Sequence, residues 1–93
     1  MAVEVVATVR GGTLDQYDAA AAKLIKGQFP PGLRHHVCAQ TDDGFQVIET
    51  WDSEEAVRNF TGSDRFRQEI EATGMPAPDI QVLPVHYVEE AGA

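Results

Sequence analysis

The sequence predicts an α+β fold, and three observations carry that prediction. Four short β-branched runs are separated by two helical patterns, in the order β-α-β-β-α-β. The second and third runs are joined by a tight turn, TDDG at 41–44, which marks a hairpin. Capping signals stand at both helix starts, and Gly27 and Gly74 follow the two helical patterns.

Each element has its own warrant. VEVVATV, from Val3 to Val9, is a strand ended by Gly11 and Gly12. Thr13 with Gln16 forms a capping box for a helix over 14–26, whose apolar stripe is Leu14, Tyr17, Ala21, Leu24 and Ile25. FPPG is a rigid connector. Leu33 to Ala39 and Phe45 to Trp51 are paired strands, with Gly44 placed where the turn calls for positive φ. Asp52 with Glu55 reads as a second capping box. The stripe Ala56, Val57, Phe60 then loses phase at TGSD, and Phe66 and Ile70 start a new one. Gly62 is therefore a kink and Ser63 a fresh cap. A last strand runs from Asp79 to Val88. Pro84 cannot donate to a ladder, so this strand lies at an edge or is bulged there. EEAGA is a loose tail.

This order gives a ferredoxin-like, split βαβ arrangement: a four-stranded antiparallel sheet with its helices on one face. Residues 1–93 are expected to form one such domain. Neighbouring Val5 and Val6, like Val82 and Leu83, point to opposite faces, so the sheet is apolar on both sides. The helices cover one side, and a second copy of the chain is the economical cover for the other.

Composition narrows the function. A net charge of −8 with scattered Lys and Arg argues against nucleic acid and anionic membranes as partners. The lone cysteine implies no disulfide and no oxidising compartment. The start MAVEVVATVRGG lacks a cationic leader, and no apolar run approaches the roughly 20 residues needed to span a bilayer. A cytoplasmic location is expected.

The chemistry-bearing residues gather in PPGLRHHVCAQTDDGFQVIETWDS. His35 and His36 are adjacent, so on a regular strand they diverge and cannot share a metal. His36, Cys38 and Arg34 share a face, and His86 shares another with Val82 and Pro84. A His36–Cys38–His86 metal site would need a particular cross-strand register beside a cation, so no metal is expected. His36 and His86 are either satisfied strand residues or pocket-lining groups that exchange protons near neutral pH. Glu49 and Trp51 share a face. If it looks inward, Glu49 is a candidate base with a raised pKa; if outward, it is a solvated charge. Trp51, Tyr17, Phe60 and Phe66 are core residues or pocket walls. Cys38 reads as a buried small hydrophobe. No nucleotide-binding loop or nucleophile elbow is present.

The stretch from PPGL through DG to WDSEEAVRNF, with the ending VLPVH, resembles the dimeric α/β-barrel superfamily. Its antibiotic-biosynthesis-monooxygenase branch is the nearest match, over roughly residues 3–88. The resemblance implies two ferredoxin-like subunits pressed sheet to sheet, each with a ligand pocket between sheet and helices. It also implies a small-molecule pocket protein, either a cofactor-independent monooxygenase or a polyketide cyclase. The ligand would be aromatic or polyketide-like and no cofactor would be bound. His36 or His86 would be the base, and Trp51, Glu49, Tyr17, Phe60 and Phe66 would hold the ligand. A non-catalytic ligand-binding or accessory homodimer is the alternative. A haem-handling enzyme is a third reading. Many monooxygenase-type members carry histidines along the second helix, but Phe60 and Arg65 stand at those positions here.

Overall fold

A computed structural model describes residues 1–92. The elements are β1 (Val3–Arg10), α1 (Leu14–Leu24), β2 (Leu33–Thr41), β3 (Gly44–Trp51), α2 (Glu54–Thr61), α3 (Asp64–Thr73) and β4 (Asp79–Pro84). They form one antiparallel sheet in the order β2-β3-β1-β4. This is the ferredoxin-like layout, with the second helix divided. Among the described residues no helix is long and apolar enough to cross a membrane.

The helix ends follow local chemistry. Thr13 and Gln16 make the reciprocal capping box of α1. Gly62 closes α2, and the Ser63 hydroxyl caps α3 by accepting from Phe66 N–H. Gly74 ends α3 in the left-handed region, at φ 71°.

Several expectations are corrected. Helix α1 stops at Leu24, not Lys26. The cap of α2 is Ser53, which accepts from Ala56 N–H. Asp52 is instead held by Arg34 through bonds of 2.6 and 2.8 Å, and that guanidinium keeps the Asp52 carboxyl below its ordinary range. Gly44 has no positive φ. It is glycine for a different reason: a Cβ there would overlap the Val9 carbonyl oxygen. Strand β4 ends at Pro84, where the ladder loses its donor, so His86 lies beyond the sheet. The expected tail thus begins earlier, and its last residue lies outside the described residues.

The most consequential difference is a β-bulge between Leu33 and His35. It leaves Leu33 opposite Trp51 and His36 opposite Glu49. Trp51 and Glu49 are two apart and share a face, so Leu33 and His36 do as well. Arg34, expected to share the face of His36, is exposed. The face so chosen is the one covered by the helices. There Val3, Val5, Leu33, Trp51 and Val57 form the core, with Ile25, Ala56 and Phe60 packed against it.

Candidate functional site: a ring-sized cavity beside a Tyr–His–Glu chain

The helices do not fill all the space over the sheet. A run of alanines, Ala19 to Ala22, lies in the middle of α1, and Ala20 and Ala21 face the sheet, buried. Side chains this short leave a gap between α1 and the strands. The result is a cavity of about 130 Å³, walled by β1, β3, all three helices and Ile80 of β4. Its lining is apolar apart from Tyr17, His36, Glu49 and Thr61. A closed cavity of about 150 Å³ holds one benzene ring, so this half-open space takes one ring of a ligand and leaves any second ring at its mouth.

Three of the polar residues are linked. The His36 ring lies 2.7 Å from Glu49 Oε2 through Nδ1 and 2.6 Å from the Tyr17 hydroxyl through Nε2. The His36 and Glu49 side chains are only 10% and 12% exposed. A carboxylate only accepts, so His36 Nδ1 carries the proton and donates to Glu49. In the neutral ring Nε2 then accepts from Tyr17. The second Glu49 oxygen accepts from Trp51 Nε1–H at 3.1 Å. Trp51 thus anchors Glu49, Glu49 orients His36, and the basic nitrogen of His36 is presented at the cavity wall. The Tyr17 and His36 rings are also stacked, 5.9 Å apart.

Of the residues singled out from the sequence, His36, Glu49, Tyr17, Phe60 and Phe66 all border the cavity. Trp51 does not. It is 1% exposed and packs in the core against Phe60, at 5.4 Å between centroids. His86 is exposed and away from the cavity, so it is not brought to this site. Among the described residues no group of three or more His, Cys, Asp or Glu is placed to hold a metal ion. The sequence reading missed the contribution of the alanine run, whose signal was small residues on the sheet-facing side of an amphipathic helix.

The sequence profile of one family, described as antibiotic biosynthesis monooxygenase, matches residues 1–72. The chain belongs to that family. Membership makes it a protein of antibiotic-biosynthesis-monooxygenase type. No curated protein matches it in sequence. Among solved structures, a Caulobacter crescentus protein named for the same family superposes with a TM-score of 0.72 at 24% identity, covering 92% of this chain and 91% of that one. SnoaB, a cofactor-independent oxygenase from Streptomyces nogalater, gives 0.70 at 15% identity over 94% of each chain. Rv0793 from Mycobacterium tuberculosis gives 0.67 at 18% identity over 99% of this chain and 100% of that one. At such identities the likeness is one of fold, and the chemistry rests on this chain's own residues.

Burial acts on two titratable groups here, Tyr17 on the cavity wall and Cys38 outside it. Burial first, then Cys38, Asp18 and Glu49, raise the Tyr17 phenol above its ordinary 10.0. Burial, then Asp18, raise Cys38 above its ordinary 9.0. The folded state therefore holds these protons more tightly than the unfolded chain. That stabilisation is whole below about pH 9 and is lost as pH rises through the raised values. Tyr17→Phe is expected to cost about 1 kcal/mol at pH 8, from the unpaired His36 nitrogen. It should then lose less stability than the parent between pH 8 and about 11. Urea unfolding at the two pH values measures this, and equal alkaline losses in both proteins would contradict it.

Proposed function

We propose that the protein is a cofactor-independent oxygenase acting on a small phenolic or polyketide-like aromatic compound, as a homodimer in the cytoplasm. The observation that supports this best is the Tyr17–His36–Glu49 chain opening on a cavity the size of one ring. A phenol or enol in the cavity meets the Tyr17 hydroxyl. Tyr17 passes its proton to His36 Nε2 and takes the ligand's in return. The imidazolium is stabilised by Glu49, which accepts from Nδ1. The apolar walls keep water from the resulting anion.

Such an anion is electron-rich enough to react with dioxygen. A carbon–oxygen bond forms at the ring carbon para to the phenolate, giving a hydroperoxide. Loss of water then leaves a carbonyl. For 1-naphthol, one dioxygen is consumed and the products are naphthoquinone and water. Dioxygen is the oxidant: one of its atoms stays on the ring and the other leaves with the two hydrogens lost. Dioxygen uptake in step with naphthoquinone formation, from 1-naphthol or another one- or two-ring phenol, supports this reading. Binding of such phenols with no uptake by any of them overturns it in favour of a ligand-binding dimer.

The proposed dimer is supported by what the helices leave open. Val37, Leu83, Tyr87 and Val88 are exposed at 40%, 47%, 72% and 58%, and all six residues of β4 are exposed. A stable interface would bury upwards of about 1,200 Å². Light scattering should give twice the 10.1 kDa chain mass at micromolar concentration. The single-chain mass throughout would contradict it.

A further inference from the structure

Seven Lys and Arg side chains stand in this acidic chain. Four are committed to ion pairs of 3.1 Å or less: Arg10–Asp79, Arg34–Asp52, Arg58–Glu54 and Arg67–Asp64. Lys26 only approaches Asp18, at 4.0 Å. Among the described residues, Lys23 and Arg65 have no carboxylate within that distance. These last three cations all line one groove of about 620 Å³, between the end of α1, the 27–31 connector and the start of α3. No Asp or Glu lines it.

The groove is held in place. Arg65 donates through Nη2 to the Lys23 carbonyl at 2.6 Å, tying α3 to the last turn of α1. A lysine in that last turn also suits the helix dipole, which accounts for Lys23 but not for Arg65 arriving from another helix. The groove and the ring cavity share two walls, Leu24 and Phe60. Leu24 and Phe60 therefore stand between the two spaces, and a ligand that reaches past them spans both.

We propose that this groove is the anion-binding vestibule of the cavity, and that the natural ligand is an aromatic carboxylate. Its ring occupies the cavity and its carboxylate meets Lys23, Lys26 and Arg65. The proposal rests on the cavity being the ring site. The guanidinium offers a fork that matches a carboxylate, and the two ammonium groups add point charge. In a chain of net charge −8 an anion is repelled at long range, so a local cluster of cations, two of them without a carboxylate partner among the described residues, is what admits one.

Calorimetric titration with 5-hydroxy-2-naphthoic acid, which is 1-naphthol carrying a carboxylate at the far end of its second ring, with its uncharged carboxamide and with 1-naphthol tests this. The acid should bind about tenfold tighter than the amide at low salt, with the margin shrinking as salt is added. The double variant Lys23→Gln/Arg65→Gln should erase that margin while leaving amide and naphthol affinities within about twofold. Arg65→Lys, which keeps the charge, should retain most of it. Equal binding of acid and amide by the parent, or a margin that survives the double variant, overturns the proposal. Failure of the ring site looks different: 1-naphthol and the amide then do not bind, or bind with affinities that His36→Ala leaves unchanged, and the proposal falls with it.

Discussion

Trp51→Ala is expected to remove about 3–5 kcal/mol of folding stability, the range for truncating a large buried aromatic. That is a large share of the roughly 5–15 kcal/mol available to a domain. Trp51 is 1% exposed, lies in the core with Leu33 and Val57, and packs against Phe60. Truncation opens a cavity at the point where β2, β3 and α2 meet. It also strips Glu49 Oε1 of its indole donor. Trp51→Phe refills most of the volume and should cost much less. Urea unfolding followed by far-ultraviolet circular dichroism compares the two without relying on tryptophan fluorescence. A loss under about 1 kcal/mol for Trp51→Ala would mean that the indole is a pocket wall and not the core residue described above.

The second large effect is on turnover. His36→Ala should lower kcat with a phenolic substrate by about 10²–10⁴, the usual worth of a positioned acid–base group. KM should change little, because most of the ligand's contact is with apolar walls. Glu49→Gln keeps a hydrogen-bonding partner of similar shape but removes the charge that holds the imidazolium. It should fall between His36→Ala and the parent. The pattern to look for is a drop in kcat, with both variants folded by circular dichroism. A matching rise in KM with kcat unchanged would make His36 a ligand contact and remove it as the base.

Much of this molecule is readable from the chain, because much of it is local. The capping box at Thr13 and Gln16, the left-handed Gly74, and the break at Gly62 and Ser63 each depend on residues within a few positions of one another. The features that escaped are long-range. Asp52 and Ser53 are both good caps, and only Arg34, across the bulge, takes Asp52 out of contention. Gly44 looks like a turn glycine until Val9 is seen against it. The face carrying His36 depends on a bulge that leaves no mark in composition. Residue alternation does not say where a strand stops, so it carries β4 on to His86 although Pro84 ends that strand. The contact between Tyr17 and His36 joins a helix to a strand, and no sequence spacing encodes it.

In the proposed mechanism a phenolic ring binds in the cavity and its proton reaches His36 through Tyr17. The direct measurement is the nitrogen-15 spectrum of histidine-labelled protein, titrated with 1-naphthol. In the free protein, His36 should show a protonated Nδ1 and a pyridine-like Nε2, as its bonds to Glu49 and Tyr17 require. On saturation the Nε2 signal should move towards the imidazolium position, while His35 and His86 stay where they were. A His36 spectrum unchanged at saturating naphthol, or a shift confined to the other two histidines, would contradict the account.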